Sequence, residues 1–179
     1  SGQVCQGDSV LFRRGDTFYG RIENPGHYRR NAPWMVFGAY GSGPKPIISS
    51  YKVARTWSIQ GSNLWGIDLG PSSTHYSGDK SDKTDVGFLK VDGTIFGSKR
   101  GSQNALQRQW DFCSGSYDDP HGDTMLYVRS MRNPAQHSIK IAVSGPWTEN
   151  SGSPNVFTPA TKTVIVGLNL QGSGAHGVS

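Results

Sequence analysis

The densest group of chemically capable side chains is Asp118-Asp119-Pro120-His121-Gly122-Asp123, which puts three carboxyl groups and an imidazole into six residues. A hard cation such as Ca²⁺ takes several oxygen ligands at once. Asp118, Asp119 and Asp123 are therefore the candidate metal ligands, and Ca²⁺ is the one cofactor the sequence raises. The spacing is less regular than that of a calcium loop, and Asp, Pro and Gly are also the residues of an exposed turn, so a solvated hairpin tip is the plainer reading. His176, in Gly174-Ala175-His176-Gly177, is a second candidate. An imidazole serves as a base or a substrate contact when an acid or base partners it. No such partner lies nearby in sequence, and packing at a chain corner is the plainer role.

Aromatic residues make up 11% of the chain, with Trp34, Trp57, Trp65, Trp110 and Trp147 among them. A flat ring with a polar edge suits the face of a sugar, because it covers C–H groups and leaves hydroxyls free to hydrogen-bond. Trp57, Trp65 and Trp110 alternate with polar neighbours and belong to a core. Trp147, Tyr117 and Tyr76 fall in loop-like stretches and, with His176, are the candidate substrate contacts. Arg14-Gly15-Asp16 spells a cell-adhesion tripeptide, yet it lies between two apolar runs where turn chemistry explains it. The sequence contains no phosphate loop, Ser-His-Asp elbow, zinc-ligand spacing or sequential pair of catalytic carboxylates. Cys5 and Cys113 either form one disulfide or stand as two separate thiols; sequence alone does not supply the geometry that decides it.

The elements that position these residues read as strands and turns. The 179 residues include 24 Gly and 10 Pro with no three-residue period, and the 34% apolar share comes in short runs of Val, Ile, Leu, Phe, Tyr and Trp. No long stretch keeps helical periodicity between caps, so almost no helix is expected. No apolar run is long enough to cross a bilayer, and no signal-peptide pattern opens the chain. The net charge of +5 favours an acidic polymer such as a uronate-containing polysaccharide, or a nucleic acid. The basic residues are scattered pairs, Arg13-Arg14, Arg29-Arg30 and Lys99-Arg100, without a nucleic-acid-binding motif, so no nucleic-acid or membrane partner is expected.

Along the chain, Val10-Leu11-Phe12 and Thr17-Phe18-Tyr19 are two strands parted by a sharp turn at Gly15, where a positive φ costs little. Met35-Val36-Phe37 is a continuous apolar run that suits a buried or stacked strand, and Pro46-Ile47-Ile48 follows a Gly-rich corner. From about residue 52 the runs alternate apolar with polar, which implies antiparallel sheet with one wet face. Asp92-Gly93 is the strongest hairpin signal in the chain. A second hairpin is expected between the strand at 110–113 and that at 125–129. Residues 144–160 read as a linker or long loop, and β structure resumes at Thr163-Val164-Ile165-Val166.

Three stretches, 7–18, 37–48 and 164–178, resemble the right-handed parallel β-helix proteins of the pectate-lyase-like superfamily, many of them carbohydrate-active. The resemblance implies an all-β chain with the first coils of a right-handed parallel β-helix and an inserted antiparallel β-sandwich. Residues 1–51 would form the N-terminal cap and first coils, 52–145 the sandwich, and 146–179 a linker and the return to a coil. It implies a secreted or extracellular protein whose partner is polysaccharide, acidic in one version. The whole would be a polysaccharide lyase or glycoside hydrolase, or else a non-catalytic glycan-binding or structural module of an extracellular or phage tail-spike assembly. The matching motifs are fold motifs, so no catalytic residue is carried over. A few coils alone are marginally stable. The strand ending near Gly172 is expected to be covered by further coils or another chain.

Overall fold

The computed structural model describes residues 4, 6–23, 31, 33–69, 85–114, 124–144, 156–157, 162–174 and 177–178. In chain order the strands are β1 (Ser9–Arg13), β2 (Thr17–Tyr19), β3 (Ile22–Glu23), β4 (Met35–Tyr40) and β5 (Ile47–Ser49). There follow β6 (Lys52–Ala54), β7 (Ser58–Gly61), β8 (Leu64–Asp68), β9 (Asp85–Val91), β10 (Ile95–Phe96), β11 (Ser98–Lys99), β12 (Asp111–Ser114), β13 (Met125–Arg129) and β14 (Ile139–Ser144). The last are β15 (Val156–Phe157), β16 (Thr163–Ile165) and β17 (Asn169–Gln171). The protein is all-β: the only helical turns among the described residues are 3₁₀ segments at Gln103–Ala105 and Pro134–Gln136. The chain divides into two compact units, one of residues 1–50, 154–171 and 176–179, the other of residues 51–153 and 172–175.

The first unit is built from parallel ladders. One sheet has the order β1-β4-β16 and another β17-β5-β2, every pairing parallel, and β15 pairs with β3 in the same sense. Partners in a parallel register point to the same face. Val10, Phe37 and Ile165 thus form one row, and Phe18, Ile48 and Leu170 another. Phe37 and Ile48, in the middle of each row, are buried. The rings of Phe12 and Phe18 meet edge to face at 5.0 Å and join the two rows at one end. On the other face of the first sheet, Leu11 and Val166 close over Gly38, where an added Cβ would stand 3.1 Å from the Leu11 Cδ2.

The turn at Gly15 has the positive φ the sequence implies, +88°, but it does not make a hairpin. β1 and β2 enter different sheets, and the corner bonds instead to the next corner along, with Gly15 N–H donating to the Pro44 carbonyl at 2.9 Å and Ile47 N–H to that of Asp16 at 3.0 Å. Val156 and Phe157, inside the stretch read as linker, form a strand.

The second unit has two sheets, β10-β9-β14-β6 and β11-β12-β13-β8-β7, with antiparallel pairing except between β11 and β12. Both expected hairpins form. Asp92 (φ 49°) and Gly93 (φ 76°) turn β9 into β10 with the two positive φ values a type I′ turn requires, and β12 pairs antiparallel with β13. One apolar cluster draws on both sheets, with Val86, Leu89, Val91, Phe112, Leu126, Val128 and Ile139 fully buried.

Strict alternation along β9 would put Val86 and Leu89 on opposite faces. A bulge opposite Ala142 and Val143 removes the conflict by leaving Gly87 as the extra residue, which turns both side chains inward. Gly87 also has no room for a side chain, because the carbonyl oxygen of Gly174 occupies the place of a Cβ.

Candidate functional site

The sequence-derived site residues Tyr76, Tyr117, Trp147 and His176, and the acidic group Asp118, Asp119 and Asp123, all lie outside the described residues. So does Cys5; Cys113 is buried on β12. Among the described residues no group of three or more His, Cys, Asp or Glu side chains could hold a metal ion. Trp110 is buried in the core as expected, while Trp65 is half-buried and donates its indole N–H to the Ser130 carbonyl at 3.0 Å.

The best-built polar arrangement lies just before β12. Residues 107–111 form a tight turn in which Trp110 takes a positive φ of 68° without being glycine, a backbone state that costs about 1–3 kcal/mol. Several bonds hold it there. Trp110 N–H donates to the Arg129 carbonyl at 2.9 Å, and the Gln109 side chain donates to Ser130 Oγ at 3.0 Å and accepts from Met131 N–H at 3.0 Å. Asp111 closes the turn: its Oδ2 accepts from the backbone N–H of Gln107 at 3.0 Å and of Arg108 at 2.9 Å, and its Oδ1 accepts from Arg100 Nη2 at 3.0 Å.

The Asp111 carboxylate is almost wholly removed from solvent, with 2% of its side chain exposed. Burial pushes its pKa up, but the hydrogen bonds from Arg100, Arg108 and Gln107 outweigh that and hold the carboxyl below its ordinary value. Beside it is a hollow of about 310 Å³ lined by Arg100, Ala105, Gln107, Arg108 and Asp111. Arg100 Nε is buried there without a hydrogen-bond acceptor among the described residues.

A second arrangement ties the β9–β10 turn to β14. Asp92 Oδ2 lies 2.7 Å from His137 Nδ1, and Asp92 Oδ1 accepts from Ser138 N–H at 2.8 Å. His137 stands edge-on to Trp110 at 5.0 Å. The hydrogen bond with His137, then that from Ser138, keeps the Asp92 carboxyl below its usual range. In the first unit, a hollow of about 300 Å³ is lined mainly by apolar residues, Val10, Phe12, Phe18, Met35, Phe37 and Ile48 among them, and offers packing space rather than chemistry.

Sequence reading missed Arg100, Asp111, Arg108, Asp92 and His137 as interacting groups. Lys99-Arg100 was visible only as a basic pair and Asp92 only as a turn residue. The available signal was the run Gln107-Arg108-Gln109-Trp110-Asp111. It must turn immediately before a buried strand, has no glycine to do so, and ends in an acid able to accept from the turn's own N–H groups.

No family model matches the chain, and no curated protein matches it. A solved structure does: a chain of "The complex structure of XylC with xylose" superposes with a TM-score of 0.59 at 11% sequence identity. The match covers 96% of this chain and 31% of that one, so the present chain spans under a third of its length. At that identity the likeness is one of fold.

Proposed function

We propose that this chain is the N-terminal portion of a secreted, right-handed parallel β-helix protein directed at polysaccharide, acting as a lyase or glycoside hydrolase when the polypeptide is complete. The observation that carries the reading is the repeated parallel register. Strands β1 and β2, then β4 and β5, then β16 and β17, return in the same order to the same two sheets and align their apolar rows. Coils wound one upon the next would add parallel strands in this order, and crossovers of this kind are right-handed in about 98% of cases.

The two antiparallel sheets are then a sandwich inserted in the crossover between the second and third coils, over residues 52–145. Fold likeness to a protein solved with xylose supports a saccharide partner. The net charge of +5 favours an acidic one. In this reading Tyr76, Tyr117, Trp147 and His176 contact the glycan, and Asp118, Asp119 and Asp123 hold Ca²⁺.

The test is incubation of the purified chain with a panel of neutral and acidic polysaccharides. New unsaturated ends identify a lyase and new reducing ends a hydrolase. Retention on a polysaccharide without product identifies a glycan-binding module, and the absence of both product and retention contradicts the carbohydrate reading.

A further inference from the structure

We infer that the hollow beside Asp111 is an anion site that takes the carboxylate of an acidic sugar, held by the guanidinium groups of Arg100 and Arg108. The fold accounts for most of the turn that forms it. Asp111 is satisfied by three donors, Gln109 by Ser130 and Met131, and Trp110 by the core and Arg129. Two cationic residues line the hollow beside this turn, Arg100 and Arg108. The Arg108 guanidinium makes no hydrogen bond or ion pair among the described residues; Arg108 bonds there through its backbone, whose N–H donates to Asp111 Oδ2 at 2.9 Å and whose carbonyl accepts from Asp111 N–H at 3.0 Å. Arg100 gives Nη2 to Asp111 at 3.0 Å and keeps about a third of its side chain exposed. The hollow beside these two guanidinium groups has room for an anionic partner.

Charge decides what that partner is. Two guanidinium groups face one carboxylate, so the hollow carries one positive charge in excess, and planar guanidinium pairs best with a planar carboxylate in a forked arrangement. A strained, non-glycine turn that fixes the backbone on either side of Arg108 limits the freedom lost on binding. That the carboxylate belongs to a saccharide rests on the function proposed above.

The experiment compares a matched pair of ligands on the whole chain: a glucuronate-substituted xylo-oligosaccharide and the same oligosaccharide without the uronate. Inorganic sulfate and a short oligonucleotide are the third and fourth probes. Binding is followed by calorimetry and by backbone amide shifts. The substituted sugar should bind about tenfold more tightly than its neutral counterpart, the value of one charge-assisted hydrogen bond, and shift the amides of residues 100–111. Arg108→Gln should sharply reduce that preference with the melting temperature unchanged, and Arg108→Lys should restore part of it.

Equal binding of the two sugars, with shifts away from residues 100–111, overturns the site and leaves the carbohydrate reading standing. Shifts there with sulfate alone, an adventitious ion only, or with the oligonucleotide in preference to the sugar, also overturn it. If no saccharide binds at all, both readings fall.

Discussion

The two units bury their apolar residues by different means. In the antiparallel unit, two sheets contribute to one cluster in which Val86, Leu89, Val91, Phe112, Leu126, Val128 and Ile139 reach 0% exposure. In the parallel unit, the buried large residues Met35, Phe37 and Ile48 all sit on the central strands β4 and β5, while Val10, Phe12, Phe18, Ile165 and Leu170 on the flanking strands are half-buried. The central strand of a three-stranded sheet has a neighbour on each side and each flanking strand has one, whereas the cluster drawn from two sheets is closed by its own residues. Burial in the first unit therefore falls on its central strands, and in the second it is concentrated in one cluster.

Replacing the largest fully buried side chain of the antiparallel cluster should have the largest effect. Phe112→Ala is expected to cost about 3–5 kcal/mol, read from urea unfolding followed by tryptophan fluorescence. Asp111→Ala comes next, at about 2 kcal/mol, since it removes an acceptor serving three donors and leaves Arg100 unpaired. Because the folded pKa of Asp111 is depressed, its contribution is complete above the ordinary carboxylate value of about 3.9 and is lost as pH falls through the folded value. Asp111→Asn should accordingly flatten the fall in stability below about pH 4.

Phe18→Ala tests the parallel unit at its flank and should cost about 1–2 kcal/mol, in line with the partial burial of its side chain. A loss equal to that of Phe112→Ala would erase the contrast between the units. The smallest effect belongs to Asp92→Asn. The Asp92 pKa is also lowered, so the bonds to His137 and Ser138 support the hairpin above the ordinary carboxylate range and weaken as pH falls. The substitution should remove only this acid-dependent step, seen as a loss of amide-exchange protection at Ser138, relative to the intrinsic rate at each pH, in the wild-type chain at low pH and no such change in the variant.

Local chemistry was legible in the sequence wherever one residue type dictated one conformation. Asp92-Gly93 gave its turn because few residue pairs accept two positive φ values, and Met35-Val36-Phe37 gave a buried strand because it lacks a polar side. What could not be read was pairing over distance. β1 and β2 are neighbours in sequence and look like a hairpin, yet each pairs with a strand of the next pass, a choice made by the whole stack.

The bulge at Gly87 was likewise hidden, since it shows only in the pairing of β9 with β14, and the carbonyl that leaves Gly87 no room for a side chain belongs to Gly174, far along the chain. The Asp111 arrangement escaped notice for a related reason: Arg100, Asp111 and the turn between them become a site only when Trp110 adopts a conformation its residue type disfavours. The residues singled out first for chemistry, Asp118 to Asp123, Tyr76, Tyr117, Trp147 and His176, fall outside the described residues and keep their roles as proposals.

The most direct measurement of the central claim is calorimetric titration of the purified chain with neutral and acidic oligosaccharides at moderate salt. Saturable binding to at least one of them, with a preference for the uronate-bearing member of a matched pair, is the predicted result. Absence of saturable binding to every saccharide, in a chain whose unfolding is cooperative, would contradict it.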